Sequence, residues 1–123
     1  MFRMATGISR PDLVVCTDAG PRLAVRDGRH IQLVPLSSIL WVESFGNYVR
    51  VQTAVARRLH RVTIERLASA LAPHGFWRIH RKIVVNAARV REFRPRGVDR
   101  VALLDTGERL PVGRTYRDRL ALR

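Results

Sequence analysis

Residues 76–86, with the sequence FWRIHRKIVVN, combine residue types that suit the binding of a nucleic acid. His80, Arg81 and Lys82 form a polar, cationic run between two apolar stretches, and Asn86 follows the second of these. If the apolar stretches are buried, they hold the cationic run rigid and direct its donors to solvent. Arginine and lysine bind phosphate, and an asparagine amide can pair with N6 and N7 of adenine. The segment therefore predicts a surface loop that presents hydrogen-bond donors to a nucleic acid.

The charge of the chain indicates the same chemistry. The 123 residues include 23 Lys and Arg against 10 Asp and Glu, which gives a formal net charge of +13. Such an excess attracts polyanions and is typical of nucleic-acid-binding domains. Lys82 is the one lysine. We attribute the cationic excess to function, and the preference for arginine over lysine to codon drift in a GC-rich genome.

The sequence offers little for catalysis, metal binding or membrane insertion. The histidines show no metal-ligand spacing with cysteine or carboxylates, and no P-loop type of glycine-rich segment is present. No apolar run is long enough for a transmembrane helix or a signal peptide. The single cysteine, Cys16, fits a reducing compartment, and we expect it to be a small buried hydrophobe. We therefore expect a cytoplasmic protein that is not an enzyme and has no catalytic residue, metal site or cofactor.

The pattern of apolar residues and turns predicts a single, mainly β domain of eight to ten short strands. Residues 48–53 alternate, with Val49, Val51 and Thr53 on one face. One helix is clear after the candidate cap Thr63, because apolar residues recur at helical spacing from residue 64 to residue 71. Residues 1–20 match no clear pattern and are expected to be a flexible leader with at most one strand. The domain itself is expected over residues 21–123.

Several motifs, in the same order along the chain, resemble those of the LytTR family of bacterial DNA-binding domains. FWRIHRKIVVN is similar to the family signature F-x-R-x-H-R-S-x-x-V-N, residues 46–49 to G-N-Y-V, and residues 110–114 to I-P-V-S-R. The resemblance covers about residues 21–122. It implies an elongated LytTR-like fold of about ten short strands with one or two short helices. The receiver domain that usually precedes the family's motifs has no counterpart here, so we expect a standalone domain.

The resemblance also implies a function. Members of the family are response-regulator-like, sequence-specific regulators of transcription that insert loops into the major groove of tandem direct-repeat promoter sites. The expected DNA contacts are Asn47, Tyr48, Arg50, His80, Arg81, Lys82, Asn86 and Arg114, of which all but Lys82 are carried over from the family's motifs. Expected partners are double-stranded DNA, a second copy of the chain on an adjacent repeat and a regulatory protein.

Two residues depart from the family pattern. Lys82 stands where the family usually has serine, which adds a charge that can bind phosphate. Gly113 also replaces a serine, and we expect it to loosen the orientation of Arg114.

Other interpretations remain open from the sequence alone. Without the resemblance, the interpretation favoured for Asn86 is a turn in which its side chain bonds its own backbone. His80 can satisfy backbone groups at the base of the loop, and Trp41 and Trp77 are expected to pack against the core. The chain as a whole can be a non-specific basic β module that binds RNA or other polyanions. A third interpretation is a protein-interaction domain held by an acidic or membrane partner.

Overall fold

Residues 13–120, the part of the chain that this computed structural model describes, fold into strands with two short α-helices and three 3-10 turns. The strands are β1 (Val14–Thr17), β2 (Gly20–Asp27), β3 (His30–Pro35), β4 (Ile39–Phe45), β5 (Tyr48–Thr53), β6 (Arg57–His60), β7 (Phe76–His80), β8 (Ile83–Asn86), β9 (Val90–Arg96), β10 (Asp99–Leu104) and β11 (Arg109–Val112). The helices are α1 (Ile64–Leu71) and α2 (Arg114–Arg119). The predicted mainly β fold is confirmed.

The strands form three antiparallel sheets, and the central one has apolar residues on both faces. Its order is β6-β5-β4-β8-β7, flanked by the first sheet, β1-β2-β3, and the third sheet, β11-β10-β9. One face, which includes Val42, Val51 and Val84, belongs to a core shared with the first sheet and α1. The other face, which includes Ile83 and Val85, belongs to a core shared with the third sheet. The central strands are therefore buried on both faces, between the two cores.

The helix predicted from the apolar spacing forms where expected. The Thr63 hydroxyl accepts a hydrogen bond from Arg66 N at 3.2 Å and caps α1. Ile64, Leu67 and Leu71 are buried against the first core. A 3-10 turn follows α1, and the chain then reverses at Gly75, whose φ of +83° favours glycine.

The strand directions create two different ends of the central sheet. The β4–β5 turn (residues 46–47) and the β7–β8 turn (residues 81–82) lie at one end, called the loop end below, because Glu43 pairs with Ile83 across β4 and β8. The β5–β6 turn (residues 54–56) and residues 87–89 lie at the opposite, distal end. Ser44 N donates to Lys82 O at 2.8 Å and ties the two loop-end turns together.

Two expectations concern the N-terminal part of the chain. Cys16 is exposed and not buried as expected, because it lies opposite the exposed Pro21 near the end of edge strand β1. Residues 13–20 of the expected leader form β1 and the start of β2, whereas residues 1–12 lie outside the described residues. The domain limits proposed from the sequence stay a prediction.

Candidate nucleic-acid interface

The β4–β5 turn presents a polar tip flanked by aromatic side chains. Gly46 has a φ of +65°, which permits the tight turn, and Asn47 follows it at the exposed tip. Phe45 and Tyr48 are partners across the hairpin and are 58% and 42% exposed. The guanidinium carbon of Arg50 lies 4.7 Å from the centre of the Phe45 ring. The hairpin therefore offers an amide, a phenol and a stacked guanidinium to a ligand.

The β7–β8 turn holds its backbone firmly and leaves its cationic side chains exposed. Arg81 and Lys82 lie at the tip, and Lys82 N donates to His80 Nδ1 at 3.1 Å. This bond requires an unprotonated Nδ1. Partial burial, followed by the positive charges of Arg81 and Lys82, lowers the pKa of His80 and favours that neutral form. His80 therefore orders the base of the turn, and its Nε2–H is the donor that it can offer to DNA.

Arg78 is a second support of this turn, and the expected contact set did not include it. Its Nε donates to His80 O at 3.0 Å, and its Nη2 donates to Arg81 O. The same guanidinium lies 3.6 Å from a carboxylate oxygen of Glu65 on α1 and 5.5 Å from the ring centre of Tyr116 on α2. Arg78 thus fixes the turn relative to both helices. The arginine of the F-x-R-x-H-R signature was the sequence signal for this role.

Arg114 reaches the loop end from the start of α2. Gly113 N donates to Ile79 O at 2.8 Å, and a Cβ on Gly113 would lie 3.3 Å from Tyr116 Cδ2. The backbone before Arg114 is therefore anchored to β7, with an ordinary extended conformation (φ −69°, ψ 146°). This bond orders the backbone at Gly113, whereas the looser orientation of the Arg114 side chain stays a prediction. The Arg114 side chain is 74% exposed, and its Nε lies 3.4 Å from Asp99 Oδ1.

The loop end brings together all the predicted contact residues except Asn86. Asn86 ends β8 on the distal side, roughly 10 Å from Ile83 at the usual rise per strand residue. Its side chain is 7% exposed, its Nδ2 donates to Ile39 O at 2.9 Å and to Leu36 O at 3.4 Å, and its Oδ1 accepts from Ala88 N at 3.1 Å. Both amide protons are used inside the protein. The structure therefore contradicts the expected base contact and supports the alternative, in which Asn86 bonds backbone.

The two tryptophans and Arg89 are not among the residues that form the loop end. Trp77 is 40% exposed and stacks on Phe93 with ring centres 6.2 Å apart, whereas Trp41 is partly buried against the second core. Arg89 pairs with Asp105 at 3.3 Å on the distal side. Within residues 13–120, no helix has the length and apolar character to cross a membrane, and no cluster of His, Cys, Asp or Glu is arranged to bind a metal ion.

Comparison with known proteins identifies the family. The chain belongs to the LytTR family, because the family model of the LytTr DNA-binding domain matches residues 29–123. It is therefore a DNA-binding domain, as the resemblance implied. The structure matches a LytTr DNA-binding domain from Bacillus cereus with a TM-score of 0.71 at 21% identity, over 80% of this chain and 92% of that one.

The curated relatives are longer proteins. The chain is 33% identical over 95 residues to the CO-responsive transcriptional regulator RcoM of Rhodospirillum rubrum. This match covers 76% of this chain and 40% of that protein. It is 29% identical over 72 residues to an uncharacterized response regulatory protein of Vibrio cholerae. That match covers 55% of this chain and 28% of the relative. The chain thus spans less than half the length of either relative.

Proposed function

We propose that this domain recognises a specific double-stranded DNA sequence through the loop end and thereby regulates transcription in the bacterial cytoplasm. The observation that carries the proposal is the convergence of two hairpin turns and the start of α2 on one end of the central sheet. The bonds from Ser44 N to Lys82 O and from Gly113 N to Ile79 O, both 2.8 Å, join these three segments. A rigid set of exposed donors at one end suits insertion into a groove.

The proposed roles follow from the chemistry of each side chain. The B-DNA major groove is about 12 Å wide and admits a two-stranded ribbon such as the β4–β5 hairpin. Asn47 suits adenine and Arg114 suits guanine, because each offers donors that match those base edges. Arg81 and Lys82 bind phosphate and set the register on the duplex. Tyr48, Arg50 and the Nε2–H of His80 add contacts beside these groups, whereas Asn86 contributes none.

The arrangement on DNA is also a proposal. By analogy with the family, two copies bind a tandem direct repeat in a promoter, one copy on each half of the site. Among the described residues the loop end is a compact surface, so one copy reads one short element. A regulatory protein or domain supplies the signal, since the relatives are more than twice as long as their matched region.

Selection from a library of random duplexes at about 150 mM salt tests the proposal. The wild-type domain should enrich a short motif, Asn47→Ala should relax it at one position, and Arg114→Ala should relax it at another. Each change should cost about 1–3 kcal/mol at its own position. Arg57→Ala, at the exposed distal end of β6, is the matched control and should leave the motif unchanged. Absence of any enriched motif would refute sequence-specific recognition.

A second candidate function, binding of single-stranded nucleic acid, is favoured by one observation. Phe45, Tyr48 and Arg50 share a face of the central sheet, where exposed aromatic rings can stack on unpaired bases. Competition between single-stranded and double-stranded forms of the same sequence distinguishes the two functions. Tighter binding of the single strand, lost in Phe45→Ala and Tyr48→Ala, would favour this second candidate.

A further inference from the structure

The contact between Asp99 and Arg114 has a geometry that suits base reading. Arg114 Nε donates to Asp99 Oδ1 at 3.4 Å. Within residues 13–120, neither terminal nitrogen of Arg114 is hydrogen-bonded to an acceptor. A guanidinium held through Nε keeps its two terminal NH2 groups available for the bidentate pairing that guanine O6 and N7 accept.

Both backbones that carry this pair are fixed. Asp99 begins β10 and pairs with Arg96 across the β9–β10 turn. Arg117 Nη1 donates to Val98 O at 2.9 Å and ties that turn to α2. On the other side, Gly113 N is bonded to Ile79 O, which anchors the residue before Arg114. The backbone positions of Asp99 and Arg114 therefore hold the carboxylate close to the guanidinium. The pair lines an open cleft of about 410 Å³, whose lining also includes His80 and Arg100.

Asp99 is an acidic residue on the lining of the cleft that also contains His80 and Arg114. A carboxylate beside a surface that binds phosphate repels DNA, so it weakens binding to every sequence alike. That cost is useful only if the carboxylate adds discrimination between sequences. Asp99 does so if it restricts the rotamers of Arg114, because less side-chain entropy is then lost when the correct base is bound.

We propose that Asp99 is a positioning residue for Arg114, which it orients for guanine and so increases sequence selectivity at the expense of total affinity. The proposal rests on the proposed function above, in which Arg114 reads a base. The pair is exposed in the free protein, with 74% and 54% of the two side chains accessible, so its effect on folding is small. Its effect is expected in DNA binding, because an Arg114 side chain already ordered in the free protein loses less entropy when the base is bound.

The test compares Asp99→Asn with Asp105→Asn, which is its matched control. Asp105 also forms an exposed pair with an arginine, Arg89 at 3.3 Å, but at the distal end, and its substitution removes the same charge. Affinities are measured for the selected duplex and for duplexes changed at the base pair where Arg114→Ala loses its preference. Asp99→Asn should lower the preference at that base pair roughly two- to fivefold, as expected for an exposed ion pair, and raise affinity for unrelated DNA. Asp105→Asn should keep the preference.

A double-mutant cycle separates the possible outcomes. In the Arg114→Ala background, Asp99→Asn should have no further effect on the preference at that base pair. A uniform rise in affinity for all duplexes, with the preference intact, would overturn the positioning role while leaving the proposed function in place. Failure of the wild-type domain to prefer any sequence would overturn both.

Discussion

At the scale of single residues, we expect two asparagines to have different roles, Asn86 in stabilising the fold and Asn47 in binding DNA. Asn86→Ala should lower the free energy of unfolding by about 2–4 kcal/mol, because it removes the buried amide that bonds the carbonyls of the buried residues Leu36 and Ile39 and the N–H of Ala88. Asn47→Ala, at an exposed turn, should change it by less than about 0.5 kcal/mol. Urea unfolding monitored by tryptophan fluorescence measures both.

DNA binding by the same two variants completes this comparison. Asn47→Ala should lose affinity for the selected duplex although its stability is unchanged. Asn86→Ala should bind the selected duplex normally at a temperature at which it remains folded. Normal stability of Asn86→Ala together with a lost base preference would instead restore the expectation from the sequence.

We expect His60 to make the stability of the domain depend on pH. It is buried, and neither ring nitrogen has a hydrogen-bond partner among the described residues. Burial, and then the charges of Arg26 and Arg66, lower its pKa from the ordinary value of 6.5. As the pH falls to about 6.5, His60 therefore becomes protonated in the unfolded chain but stays neutral in the folded domain. Stability should fall as the pH drops through about 6.5, and the loss should end below the folded pKa, where both states are protonated.

Unfolding in urea between about pH 7.5 and pH 5.5 checks this dependence. His60→Gln should reduce the slope of stability against pH, because the titrating group is removed from the buried site. His30→Gln, at an exposed position, is the control for the substitution itself. The lowered pKa of His80 acts in the same direction, so some slope should remain in His60→Gln. An unchanged slope in His60→Gln would contradict the assignment.

At the scale of secondary-structure elements, Arg78 connects β7 to both helices and supports the β7–β8 turn. Arg78→Lys keeps the charge but loses the planar fork that donates to His80 O and Arg81 O. We expect affinity for the selected duplex to fall roughly 3- to 10-fold, because the turn must be ordered on binding. Stability should fall by only about 1 kcal/mol. Fluorescence anisotropy and urea unfolding on the same sample measure both.

Glu65→Gln is the control for this substitution. It removes the ion pair of Arg78 with α1, in which the Glu65 side chain is 73% exposed, but leaves the bonds to the turn in place. DNA affinity and stability should therefore both change little. A loss of DNA affinity in Glu65→Gln as large as that in Arg78→Lys would show that contact with α1, and not support of the turn, is what matters.

Some secondary-structure elements could be predicted from the sequence, whereas the tertiary contacts of the candidate site could not. Strand β5 and helix α1 follow from local periodicity, because one buried face imposes a repeat of two or of 3.6 residues. The role of Asn86 does not follow, since its partner Leu36 is 50 residues away in the sequence. The pairing of Arg114 with Asp99 likewise depends on how the third sheet meets α2. The motifs predicted the loops that come together at the loop end, whereas tertiary contacts determine the hydrogen-bond partners of their side chains.

At the scale of the whole molecule, a net charge of +13 raises the question of which cations bind DNA. Nearly all the expected contacts lie at the loop end, whereas arginines such as Arg57 and Arg89 lie at the distal end. If DNA binds only at the loop end, most of the positive charge attracts DNA from a distance without contacting phosphate. Such long-range attraction increases the rate of association and is screened by salt.

The dependence of affinity on salt distinguishes contacting from distant cations. Each phosphate contact contributes about −0.9 to the slope of log K against log salt, because binding releases condensed counterions. Arg81→Ala and Lys82→Ala should each reduce the slope by about 0.9, and their combination by about 1.8. Arg57→Ala should leave it nearly unchanged, although it removes the same charge. Equal reductions in all three single variants, measured by anisotropy titrations at several salt concentrations, would instead show that DNA binds diffusely over the surface and not at the loop end.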